Sequence, residues 1–177
     1  QALQHADRRL KAPREEIAAA LDGDITFEHR FVLQTILAHI DYLEASVREL
    51  DAHLVAGLDS PAEKNALALL QTVPGIDVIG AAMLLVEIGT TMALFATPSH
   101  LASWAGLCPG YNRSAGKRKR ERLRKGNTYV RRLLCEFVQA ARKTQSMFQA
   151  KHKALAITKG FKRAIMACAH KMLRIIW

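Results

Sequence analysis

The sequence predicts an all-α fold: a long coiled-coil-type helix, then a helical bundle with a helix-hairpin-helix-like element and a basic loop. Three observations predict it. Apolar residues recur at an unbroken 3-4 spacing from Leu33 to Leu54, the mark of a helix that buries one stripe. Helix-starting and helix-ending residues stand at helical intervals: Ser60-Pro61, Gly89, Thr97-Pro98 and Gly160. No stretch sustains the two-residue alternation of a half-buried strand.

Taken in order, residues 1–12 are charged and helix-compatible. Pro13 suits the first position of a short helix over Arg14 to Leu21, ended by Asp22-Gly23. Next, Leu33, Ile36, Ile40, Leu43, Val47, Leu50 and Leu54 hold the a and d positions of three heptads. Asp41, Glu44, Arg48 and Glu49 lie off the stripe, and Glu44 and Arg48 stand four apart, as an exposed pair requires. Such a stripe fits an oligomerising coiled coil, or an ordinary amphipathic helix packed on its own domain. We expect the coiled coil.

Gly57 and Ser60-Pro61 break this helix, and Ser60 with Glu63 forms a capping box for the next, which runs to about Thr72. Residues 73–77 read as a tight turn before an apolar helix, Val78 to Ile88, closed by Gly89. A helix from Thr97-Pro98 passes Trp104 to Gly106. Residues 107–127 contain Pro109, Gly110, Gly116 and Gly126 among many cations and read as a loop that orders on binding. Helices resume over Thr128 to Lys143, Met147 to Thr158 and Phe161 to Ile176. Trp104, Phe137, Phe148, Met166 and Met172 are expected in the core. We therefore expect a helical oligomerisation region over 1–60 and a helical domain over 61–177.

Charge sharpens this division. The 177 residues carry 26 Lys and Arg against 16 Asp and Glu, a net +10. Residues 1–112 hold seven basic and 14 acidic side chains, while residues 113–177 hold 19 and two. A basic half of this kind calls for a polyanion partner. At 50% apolar residues the chain is too hydrophobic for a disordered tail. The longest apolar run, Val78 to Val86, stops at Glu87, short of a membrane span. Cys108, Cys135 and Cys168 are far apart, so neither a zinc site nor a disulfide framework is expected, and the reducing cytoplasm is the expected compartment. His29, His39, His53, His152 and His170 show no ligand pairing. No signal peptide is visible. The chain opens at Gln1 within charged, helix-like sequence, so an upstream part is expected.

The densest cations are Arg113, Lys117, Arg118, Lys119, Arg120, Arg122, Arg124, Lys125, Arg131 and Arg132, with Glu121 as the one acid among them. Crowding ten like charges is repulsive, and phosphates relieve it while releasing counterions. Tyr111 and Tyr129 only flank the run, so backbone gripping is expected over base stacking. The turn at 73–77 resembles a helix-hairpin-helix element, but Asp77 stands where a glycine would open the backbone to phosphate. A carboxylate there caps its own helix, so we expect a structural hairpin packed through Gly80 and Ala81. Ser114 lies inside the cationic run; by residue chemistry alone it is a solvated loop serine, with cations at hand and no evident proton acceptor. Only Glu121 and Glu136 follow residue 112, too few carboxylates for a self-sufficient two-metal site.

Four blocks carry a resemblance. They are Thr72 to Asp77 with Ala81-Ala82 and Leu84 to Gly89; Phe95 with Leu101 to Pro109; Ser114-Ala115-Gly116-Lys117; and Lys125 to Arg132. Their order and spacing resemble the C-terminal transposase domain of the insertion-sequence one-ten family, which includes pilin-gene invertases. The core of the resemblance is 71–143, and the heptad helix resembles the family's coiled-coil region. The resemblance implies a DNA recombinase in which a serine attacks DNA and is transiently linked to phosphate; that serine maps onto Ser114. It also implies Mg²⁺ held by an N-terminal RuvC-like domain, a structured bridge RNA guiding several members, and assembly as dimers and tetramers. Lys117, Arg118, Lys119 and Arg120 would hold DNA or RNA phosphates by the same analogy. Two positions depart from the pattern: Ala115 replaces a glycine and Arg113 a serine. Nothing here matches a RuvC-like domain, so the chain is expected to be the coiled-coil and transposase part of a longer recombinase, with Mg²⁺ held elsewhere. The alternative is a non-catalytic nucleic-acid-binding and oligomerisation module, and a third reading is a purely structural bundle.

Overall fold

The computed structural model describes residues 12–21, 23, 25–108, 113, 114, 117, 118 and 125–177. Eight α-helices occur among them: α1 (Arg14–Leu21), α2 (Phe27–Ala56), α3 (Pro61–Gln71), α4 (Val78–Ile88), α5 (Pro98–Trp104), α6 (Thr128–Ala141), α7 (Met147–Lys159) and α8 (Phe161–Ile176). The fold class is all-α, as the sequence predicts. The helix-compatible stretch at the N-terminus lies almost wholly outside the described residues.

The chain forms two compact units, one through Glu49 and one from Leu50 to Trp177. In the first, α1 precedes the start of α2. None of the 30 residues of α2 is buried. The Glu44–Arg48 pair forms at 3.6 Å, with both side chains in solvent.

In the second unit, side-chain caps set the helix starts. Ser60 Oγ accepts from the Glu63 N–H while Glu63 Oε2 accepts from the Ser60 N–H at 3.0 Å, completing the capping box. Asp77, Thr97, Asn127 and Ser146 cap α4, α5, α6 and α7. α8 starts at Gly160 without a side-chain cap.

α8 is the hub, packing against α5, α6 and α7, while α4 packs on α3 and α6. Spacing explains this packing. α6 buries Val130, Leu134, Phe137, Val138 and Ala141, one face of a helix. α8 answers with Ala164, Ile165, Cys168, Ala169, Met172 and Leu173, whose small members let the axes approach. α4 brings Gly80, Ala81, Ala82, Leu84, Leu85 and Ile88. A Cβ on Gly80 would stand 2.5 Å from the Phe137 ring. At Gly75, with φ of +88°, a Cβ would stand 2.3 Å from the Phe137 carbonyl oxygen, so the turn before α4 presses directly on α6. Asp77 Oδ1 accepts from the Gly80 N–H at 2.8 Å, so its carboxylate caps α4.

Three details differ from the sequence reading. Phe137, Phe148 and Met172 are buried and Met166 half-buried, but Trp104 is 37% exposed. Its ring leans on Phe95 at 5.3 Å at the rim of the unit instead of entering the core. A 3-10 turn at Met92–Leu94 interrupts the connection from α4 to α5. Within the expected loop, β1 (Arg113–Ser114) pairs antiparallel with β2 (Lys117–Arg118), Arg113 opposite Arg118 and Ser114 opposite Lys117. Two residues per strand are too few for an alternation signal to register.

Candidate nucleic-acid interface

The cationic segment springs from a stem that the rest of the unit fixes. Gly106, at φ +70°, turns the chain out of α5. Further along the chain, the Asn127 N–H donates to the Trp104 carbonyl oxygen at 3.0 Å. Beside this bond Gly126 lies flat against the same turn: a Cβ there would meet the Gly106 nitrogen at 2.3 Å and the Trp104 oxygen at 2.5 Å. Only glycine fits at 126. Both ends of the segment are thereby held side by side.

Asn127 locks this stem to two helices. Its Oδ1 accepts from the Tyr129 N–H at 2.9 Å and the Val130 N–H at 3.1 Å, capping α6. Its Nδ2 donates to Glu87 Oε2 at 2.6 Å, at the end of α4. One residue thus joins α4, the end of α5 and the start of α6. Glu87, Gly106, Gly126 and Asn127 are absent from the site residues read from sequence. Each stands in one of the resembling blocks, but their joint role depends on bonds across up to 40 positions.

On this stem, Lys125 is exposed, Arg131 is half-buried and Arg132 is exposed. Arg132 meets Glu136 at 3.7 Å, both largely in solvent. An exposed pair of this kind is worth only about 0.2–1 kcal/mol, so it yields readily to a phosphate. The two first-turn N–H groups of α6 that Asn127 occupies are not offered to an anion, and Asp77 likewise takes the Gly80 N–H at 2.8 Å at α4. Side-chain cations, not these helix ends, are the anion-seeking groups. Of the other predicted residues, Arg113, Ser114, Lys117 and Arg118 form the β1–β2 ladder, which sets Ser114 across from Lys117 on the backbone. Lys119, Arg120, Arg122 and Arg124 lie outside the described residues.

A shallow depression of about 510 Å³ lies between α4 and α6, lined by Gly75, Asp77, Gly80, Met83, Glu136 and Phe137 among others. Its charged groups are carboxylates, so it is no seat for phosphate. Among the described residues, no three His, Cys, Asp or Glu side chains come together where a metal ion could be held. No helix among them is long and apolar enough to cross a membrane.

On α2, Leu33, Ile36, Ile40, Leu43, Val47 and Leu50 are all exposed, from 43% at Ile40 to 68% at Leu50. Leu54 is half-buried. Val32 and Leu37, both exposed, widen the stripe.

The class defined here is an all-α module that carries a strongly cationic hairpin loop on a clamped stem. Residues 67–153 match the family described as Transposase IS116/IS110/IS902 family. This part of the chain belongs to that family, and its general role is that of a transposase. A comparison with curated proteins found no match.

Proposed function

We propose that this chain is the DNA-binding and serine-nucleophile part of a transposase that cleaves and rejoins DNA strands during insertion-sequence transposition. The observation that carries the proposal is the reach of the family match. It spans residues 67–153 and so includes Ser114 and all ten cations of the run. The clamped stem supports it, because a loop with fixed ends loses less freedom when it closes on a ligand.

In this reading the cations hold the scissile phosphate and offset the charge that grows on its oxygens. Ser114 Oγ gives up its proton and bonds to phosphorus as the bond from phosphorus to the leaving sugar oxygen breaks. That oxygen takes up a proton. Mg²⁺ belongs, in this proposal, to a separate RuvC-like domain, since the carboxylates here are too few and too scattered. DNA is the partner, with a guide RNA meeting the same phosphate-gripping cations. The exposed stripe of α2 supports homo-oligomerisation as a coiled coil, since a Leu or Ile side chain gains about 1.5–3 kcal/mol on full burial.

Ser114→Ala in a full-length transposase tests the proposal. Strand transfer should vanish while DNA affinity stays unchanged, whereas Lys117→Gln with Arg118→Gln should weaken binding. Recombination that survives Ser114→Ala, with binding abolished on charge removal, would instead identify a non-catalytic binding module.

A further inference from the structure

Nine cations and no Asp or Glu fall in residues 137–177. Seven of them lie on the α7–α8 hairpin, and they are not spread evenly over it. α8 turns Ala164, Ile165, Cys168, Ala169, Met172 and Leu173 inward. At about 100° per residue, Arg163 and Arg174 return to nearly the same angle on the opposite side, about 16 Å apart along the axis, and both are exposed. Lys159 and Lys162 are exposed on either side of the Gly160 turn. Lys171 stands half-buried between the outer and inner faces. Lys151 of α7 reaches the same neighbourhood. Burial holds the His170 imidazole below its usual range, and Arg174 and Lys151 push it lower still. Among the described residues, none of these cations has an ion-pair partner.

We infer that the outer face of α8 and the α7–α8 turn, with Lys159, Lys162, Arg163, Lys171 and Arg174, form a second nucleic-acid surface that takes the backbone of duplex DNA without reading its sequence. This surface is separate from the 113–132 run, and it lies beyond residue 153, where the family match ends. Its chemistry favours a duplex. A row of cations suits regularly spaced phosphates, whereas single strands call for rings on which bases stack. Of the aromatic rings at its edge, Phe161 is engaged by the Arg142 guanidinium at 5.0 Å and by His152 at 5.1 Å, and the Trp177 indole N–H is tied to the Phe95 carbonyl oxygen at 2.9 Å. The inference does not depend on Ser114 or on the loop.

The test uses the whole 177-residue chain and a duplex DNA of scrambled sequence, with affinity measured across a salt series. Lys159→Gln, Lys162→Gln, Arg163→Gln and Arg174→Gln together should flatten the slope of log affinity against log salt by about 3 to 4, at about 0.9 for each phosphate no longer neutralised. Lys117→Gln with Arg118→Gln, measured beside it, should lower the slope independently, which separates a failure of this inference from a failure of the loop reading. An unchanged slope in the fourfold variant overturns the inference. Acetylation footprinting of the unsubstituted chain guards against a variant that fails to fold. Duplex DNA should protect Lys159 and Lys162, and equal labelling with and without DNA overturns the inference.

Discussion

Asn127 makes three connections: it caps α6, bonds Glu87 at the end of α4 and hydrogen-bonds through its backbone to Trp104. Replacing its side chain with that of alanine removes the cap and the Glu87 bond but keeps the backbone bond. Asn127→Ala should therefore cost about 1–2 kcal/mol, within the range for removal of a cap, seen as a lower thermal midpoint. Gly126→Ala should cost more, because its Cβ would meet backbone atoms of Trp104 and Gly106 that cannot swing aside. His152 supplies a pH-dependent counterpart. It is 6% exposed, its Nε2 has no hydrogen-bond partner among the described residues, and burial followed by the nearby Arg142 charge holds its imidazole below the usual range. An unfolded histidine takes up a proton near pH 6.5, so the unfolded chain binds more protons between that value and the lower folded one. Stability should then fall as pH drops below about 6.5, and His152→Leu should flatten the decline of thermal midpoint with pH. His170, shifted the same way by burial and by Arg174 and Lys151, should account for part of the slope that remains.

At the scale of elements, the helix limits were largely legible because local chemistry sets them. Ser60 with Pro61, Asp77, Thr97 with Pro98, Gly89 and Gly160 all act within a few residues of their own position. What could not be read is what acts at a distance. The Trp177 indole N–H donates to the Phe95 carbonyl oxygen at 2.9 Å, across 82 positions, and no local pattern announces it. The same holds for the exposure of Trp104 and the bond between Glu87 and Asn127. The β1–β2 ladder escaped for the opposite reason, being too short to show a period. α2 was legible as a helix, but its stripe finds no cover from within its own helix. Ile40→Glu with Leu43→Glu should leave the fold of the second unit intact and shift the chain to a lower mass in light scattering. An unchanged mass would mean that the stripe does not hold copies together.

At the scale of the whole molecule, the charge division is the feature most directly legible in the sequence. Seven basic against 14 acidic residues up to 112, then 19 against two, separates a scaffold from a cationic half. The candidate site was legible only in part: sequence supplied the cations and Ser114, while the stem that holds them emerged from packing. Only Glu121 and Glu136 follow residue 112, and for that reason the proposed function assigns Mg²⁺ to another domain. The central claim, attack on DNA by Ser114, has a direct readout in the covalent protein–DNA adduct formed by a full-length transposase on its substrate. Digestion and mass spectrometry should find the nucleotide-modified peptide containing Ser114, and Ser114→Ala should abolish the adduct while still binding DNA. An adduct on a different side chain, or one that persists in Ser114→Ala, would contradict the account.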